Sequence, residues 1–312
     1  MEPQQRFEIL NQIAAGDYAT VFRARDRELG REVAIKQIHP QFLQDPRQLD
    51  RYWQEAQLLA SLDHPHIMMI YDIVRDRGWL VLELMTGSLQ GLLAGRPIDL
   101  SDLRMALTYS LSALQYMHEH GIVHGDVKPS NLLVDRNHRV KLGDFGIARR
   151  VTGDHGSVVK GTTKYMAPEV VSDQFGDVGP HSDLYSLGFS AFELMCGENF
   201  ETLFPGLNMF GRDKQIAWMM WHSAPDRRLP DIDRVLQGVP PDLAYVIQRL
   251  TEKDPAKRYR TAAEVLDDLQ RGTTAETAVT QEQLAAAAKA ERAAKRRRLL
   301  AIGAFVVSRS MS

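Results

Sequence analysis

The chain has 312 residues, 44% of them hydrophobic and 25% charged, enough apolar material for one large domain or two lobes. A formal net charge of −2 leaves no chain-wide basic field, which excludes nucleic acid as the main partner. The single cysteine, Cys196, excludes an intrachain disulfide framework, and the ten histidines come with no cysteine or carboxylate cluster that spells a zinc site.

The N-terminal Met1-Glu2-Pro3-Gln4-Gln5-Arg6 carries no apolar signal region, so the body of the chain is expected to be cytoplasmic. Residues 7–38 read as strands, with Val21-Phe22 and Val33-Ala34-Ile35 as their β-branched and aromatic content and Leu29-Gly30-Arg31-Glu32 as a turn. Residues 46–62 have helical spacing, with Leu49, Trp53, Ala56, Leu59 and Ala60 on one side, and Pro65 ends the pattern. Two more strands follow at Ile70 to Val74 and Trp79 to Leu84. A long helix is expected over 101–119, opening at Ser101-Asp102, and most of the sequence to about 271 is helical in pattern. A strand-rich front and a helix-rich back imply an α+β architecture of two lobes, a β-rich N-lobe over 7–86 and an α-helical C-lobe over 87–271, hinged near Glu83 to Gly87. Residues 272–312 read as a linker and a basic, juxtamembrane-like tail. There Lys289, Arg292 and Lys295 to Arg298 precede the apolar run Leu299 to Val307, an order that suggests membrane association through the C-terminus, although the run is too short to span a bilayer.

Three clusters carry chemistry. The first is His124-Gly125-Asp126-Val127-Lys128-Pro129-Ser130-Asn131, which taken alone is a turn rich in Asp, Gly, Pro and Asn. The second is Asp144-Phe145-Gly146, 18 residues after Asp126 and directly after the short strand Val140-Lys141-Leu142. The third is Val33-Ala34-Ile35-Lys36, followed on the next helix by Glu55. Singly, each is a turn or a surface pair; in this order and spacing they are not.

Together they resemble the eukaryotic-type (Hanks-type) serine/threonine protein kinases, in a bacterial-like version. The resemblance implies ATP and Mg2+ as cofactors and proteins with Ser/Thr hydroxyls as substrates, with autophosphorylation among the outcomes. It assigns Asp126 to the substrate hydroxyl proton, Lys128 to the transferring phosphate, and Asn131 and Asp144 to magnesium. Lys36 is implied at the α- and β-phosphates, paired with Glu55. Adenine falls between Val21 and Ala34 on one side and Leu133 on the other, with Leu82 behind and backbone groups from Glu83 to Met85 at its edge. The turn that covers the phosphates, with Ile13, Ala14 and Gly16, departs from the family's Gly-x-Gly-x-x-Gly-x-Val: it reads Ala14-Ala15-Gly16-Asp17-Tyr18-Ala19-Thr20-Val21. Gly125 also stands where the family usually has arginine. These departures leave a second reading, a pseudokinase serving as an ATP-binding or scaffolding module. Further markers are Gly161 to Glu169, Asp183 as the anchor of the catalytic loop, and Arg258 as the partner of Glu169. Within the activation segment, Arg149 is the nearest arginine and Thr163 the hydroxyl expected to be modified, ahead of Thr152, Ser157 and Thr162.

Overall fold

The computed structural model describes residues 6–44, 46–144, 163–207 and 213–272. Expectations that fall on Phe145, Gly146, Arg149, Thr152, Ser157, Thr162 and the tail beyond residue 272 lie outside the described residues. By its internal contacts the chain divides into two units, 1–266 and 267–312. The second is described over 267–272, where Arg271 pairs with Asp267 and Asp268.

In the first unit, the strands β1 (Phe7–Ala15), β2 (Ala19–Asp26), β3 (Arg31–Ile38), β4 (Ile70–Val74) and β5 (Trp79–Glu83) form an antiparallel sheet in the order β1-β2-β3-β5-β4. Its two faces differ because side chains alternate. Val33, Ile35 and Val81 join Phe7, Ala24, Val74 and Trp79 in a core on one face. Ala34, Lys36, Leu80 and Leu82 occupy the positions between and point to the opposite face, where a cleft opens. A slip of one residue would move Lys36 into the core, so the hydrophobic pattern itself fixes the lysine's address.

The turn after β2 comes slightly earlier than the sequence implies. Asp26 Oδ1 accepts the N–H groups of Glu28 and Leu29, and Gly30 takes the left-handed conformation, φ 64°, that lets β3 begin at Arg31. Helix α1 (Pro46–Ala60) buries Tyr52, Trp53, Ala56 and Leu59 and stops two residues before its expected end. Ser61 Oγ there donates back to Leu58 O at 2.7 Å.

Past β5 the chain forms a small sheet, β6 (Gly87–Ser88), β7 (Leu132–Val134) and β8 (Val140–Leu142), and then helices. These are α2 (Leu89–Leu93), α3 (Leu100–Glu119), α4 (Pro168–Val171), α5 (Pro180–Cys196), α6 (Lys214–Ser223), α7 (Ile232–Val235) and α8 (Pro241–Leu250), with 262–272 helical at the end. Helix α3 starts one residue early because Leu103 N–H donates to Asp99 O at 2.8 Å, which makes Asp99 the N-cap. Helix α5 is buried along nearly its whole length and is the axis of the helical lobe. Gly188 permits its approach to α8, since a Cβ there would sit 2.5 Å from Leu250 Cβ. Cys196 is 2% exposed and burial pushes its thiol up to about 12, so it is an inert core residue. Among the described residues no helix is long and apolar enough to cross a membrane, and no three or more His, Cys, Asp and Glu side chains cluster as a metal site.

Candidate active site

A cavity of about 380 Å³ opens between the large sheet and the small one. Strands β1 and β2 contribute Ile13, Ala14 and Val21, and β3 contributes Ala34 and Lys36. Leu82, Glu83 and Met85 line it where β5 runs out, and Leu133, Asn131 and Asp144 close it from the other lobe. The walls are mostly apolar with a charged end, the composition expected of a site for a flat heterocycle carrying an anion. Gly143 is required at the closed end, because a Cβ there would lie 2.4 Å from Leu133 Cδ1. Gly16, Glu55, Asp126 and Lys128 do not line the cavity itself.

Asp126 and Lys128 stand immediately beside it. Lys128 Nζ lies 2.8 Å from Asp126 Oδ2, and Asn131 Nδ2 donates to Asp126 O at 2.8 Å and to Asp126 Oδ2 at 3.1 Å. The loop is held from beneath by Asp183 on α5, which accepts Gly125 N–H on Oδ1 and His124 N–H on Oδ2, both at 2.8 Å. His118 Nε2 lies 2.8 Å from the same Oδ2. Gly125 is in the left-handed region, φ 72°, so the residue type suits the backbone. His124 is 4% exposed, and burial lowers the pKa of its ring. The neutral ring accepts Asp126 N–H on Nδ1 at 3.3 Å and donates from Nε2 to Gly143 O at 3.3 Å, linking the loop to the strand that delivers Asp144.

A family model for the protein kinase domain matches residues 7–269. This chain belongs to the protein kinase family. Over 280 residues it is 34% identical to a probable serine/threonine-protein kinase of Streptomyces coelicolor. It is 32% identical over 271 residues to serine/threonine-protein kinase PrkC of Bacillus subtilis, and 34% over 272 residues to serine/threonine-protein kinase PknL of Mycobacterium tuberculosis. Each match covers 85% of this chain but 39%, 40% and 65% of the respective relative, so the chain spans about two fifths to two thirds of the length of the curated relatives it matches.

Two further residues named from the sequence, Lys36 and Thr163, are placed as follows. Lys36 is paired with Asp144 Oδ1, and Glu55 is half-buried on α1. Asp144 has a left-handed backbone, φ 51°, and the Lys36 ammonium beside it holds its carboxyl below the usual carboxylate range, with Lys128 adding to the effect. Thr163 is 1% exposed and donates Oγ1 to Gln215 O at 2.9 Å, so its hydroxyl is buried and bonded here.

The expected pair of Glu169 and Arg258 is present, with Nη1 to Oε1 at 2.7 Å and Nη2 to Oε2 at 3.2 Å. Sequence reasoning missed Lys141, whose Nζ reaches Glu83, and His39, which holds the β1–β2 turn. No local signal marks either, since both act on residues distant in the chain.

Proposed function

We propose that this kinase domain transfers the γ-phosphoryl group of ATP to serine or threonine hydroxyls of proteins, itself included. The observation that supports it is the convergence of Lys36, Asp126, Lys128, Asn131 and Asp144 at the charged end of an apolar cavity. The slot takes adenine, with backbone groups of Glu83 to Met85 at its edge, and the cations Lys36 and Lys128 attract the phosphates. Asp126 orients the incoming hydroxyl and receives its proton, while Lys128 screens the charge that develops on the transferring group.

The residues present fit magnesium. Asn131 spends its amide nitrogen on Asp126, which leaves Oδ1 as an oxygen donor, and Asp144 supplies a carboxylate. Oxygen donors of this kind suit a hard divalent cation. When bound, Mg2+ neutralises charge across the phosphate oxygens. Asp144 and Asn131 would hold the cation, and Lys36 would then be available to phosphate.

The glycine-poor turn and the Lys36–Asp144 pair favour a second reading, a nucleotide-binding module without transfer. Incubation with Mg-ATP followed by mass-spectrometric mapping of phosphosites separates the two. Wild-type protein is expected to phosphorylate Ser and Thr on itself and on an added basic protein. Asp126→Asn is expected to bind ADP normally and transfer about a thousandfold more slowly. Full transfer by Asp126→Asn sinks the assignment, and ADP binding without transfer by the wild type selects the second reading.

A further inference from the structure

His39, just past β3, makes two hydrogen bonds to the turn between β1 and β2 and a third to the start of β2. Its N–H donates to Tyr18 O at 2.9 Å, its Nδ1 lies 3.1 Å from Asp17 O, and its Nε2 lies 3.0 Å from Thr20 Oγ1. A carbonyl only accepts, so Nδ1 carries the proton, and Nε2 then accepts from the Thr20 hydroxyl. Both ring nitrogens of a neutral imidazole are thereby used on the turn and the strand that follows it. Pro40 begins a single 3-10 turn with His39 as its N-cap, and Phe42 N–H donates to His39 O at 3.0 Å. That turn brings the Phe42 ring to 4.8 Å from the Tyr18 ring.

The direction of these bonds matters. In a trans peptide the C=O and the following N–H point opposite ways, and the described backbone has no cis bonds. With Asp17 O and Tyr18 O held by His39, the N–H groups of Tyr18 and Ala19 are turned to the other side of the turn. Backbone amides aligned in this way are the usual means of meeting a phosphate. A glycine-rich cover reaches such an arrangement through its own freedom. Here only Gly16 remains, its φ is not left-handed, and a Cβ there would meet nothing closer than Ala19 O at 3.7 Å. The turn has little freedom of its own and must be placed from outside.

We propose that His39 is a positioning residue for the nucleotide phosphates, fastening the β1–β2 turn by its carbonyls so that its amides face the ligand, in place of the missing glycines. This rests on the phosphotransfer reading above. Preorganisation of this kind raises affinity by removing an ordering cost, and it acts on the phosphates and not on adenine. The experiment is calorimetric titration, with Mg2+ present, of adenosine and of ADP into the wild type, His39→Ala and Thr20→Val. His39→Ala is expected to lose about tenfold in ADP affinity with adenosine changed less than about twofold, and Thr20→Val to shift the same way by a smaller factor. Unchanged ADP binding in His39→Ala overturns the inference. So does an equal loss for both ligands, which marks general loosening of the fold. If His39→Ala shows no cooperative thermal transition, Thr20→Val decides, and an unchanged ratio of ADP to adenosine affinity overturns the idea. A wild type that binds adenosine and ADP equally removes the phosphate-binding reading itself, a separate outcome.

Discussion

Lys141 Nζ lies 2.7 Å from Glu83 Oε1 and 2.8 Å from Oε2, joining β8 to the last residue of β5. Glu83 Oε2 also accepts Met69 N–H at 3.3 Å, so its carboxylate is fixed from two sides. The bridge ties the strand that leads to Asp144 to the edge of the nucleotide cavity. The Lys141 side chain is 8% exposed and that of Glu83 19%, so removing one partner strands the other charge in a poorly solvated place. Lys141→Met is expected to cost about 2–3 kcal/mol in urea denaturation, allowing for partial exposure, and the double variant Lys141→Met/Glu83→Gln to recover more than half of that. A double variant no more stable than the single one would show that the pair is not coupled.

The Glu169–Arg258 pair is buried more completely, with both side chains fully enclosed. Arg258 also donates from Nε to Glu252 O at 2.9 Å and from Nη1 to His181 O at 2.8 Å. These four contacts use the planar fork of a guanidinium, which an ammonium does not reproduce. Arg258→Met is expected to destabilise by about 3–5 kcal/mol, and Arg258→Lys to restore less than half. Denaturant midpoints at matched m-values give the comparison. Full rescue by lysine would mean that charge alone, and not geometry, holds α4 in place.

Activation is expected to depend weakly on phosphorylation. Thr163 is buried and bonded, and Gly125 has no side chain with which to hold a phosphate. After incubation with Mg-ATP, phosphosite mapping should find no phosphate on Thr163. Phosphatase-treated protein should keep its initial rate on an added peptide within about tenfold, a barrier change under ~1.4 kcal/mol. Thr163→Val should cost about 1 kcal/mol of stability, the usual worth of one hydrogen bond. A larger fall in rate on dephosphorylation would point to a phosphate-ordered segment.

Much of this site was legible in the sequence because its signals are local. The run Val33-Ala34-Ile35-Lys36 read as a strand, and the spacing from Asp126 to Asn131 closes within one turn, as Asn131 Nδ2 to Asp126 O at 2.8 Å shows. Asp183 was legible as an anchor although it is 58 residues from Gly125, because the resemblance carried it. The contact of Lys36 with Asp144 was not, since it joins residues 108 apart and involves the left-handed backbone of Asp144. Lys141 and His39 were invisible for a related reason. Each meets a partner whose approach is set by sheet register and not by its neighbours in the chain.

Acid stability follows from His222. The ring is fully buried, its Nε2 donates to Lys164 O at 2.8 Å, and its Nδ1 accepts from the Tyr185 hydroxyl at 2.9 Å. Burial pushes its pKa down to about 3, with the Lys253 ammonium adding to the effect. In the unfolded chain a histidine titrates near ~6.5, so below that pH the unfolded state binds a proton that the folded state refuses. Stability therefore falls as pH drops from about 6.5 toward 3, by roughly 1 kcal/mol per pH unit for one such group. His124, also lowered by burial, acts with the same sign. Lys253 is lowered to about 7, so its contribution changes mainly above that pH and adds a small fall of the same sign at the upper edge of this window. The Lys36 ammonium holds the Asp144 carboxyl below the usual carboxylate range. Urea denaturation between about pH 7 and 5 should thus show a loss of about 2 kcal/mol or more, steeper than carboxylates alone allow. His222→Gln should start less stable at neutral pH, because Nδ1 and its bond to Tyr185 are gone, yet lose stability more slowly on acidification. A variant slope equal to that of the wild type would remove His222 from the account.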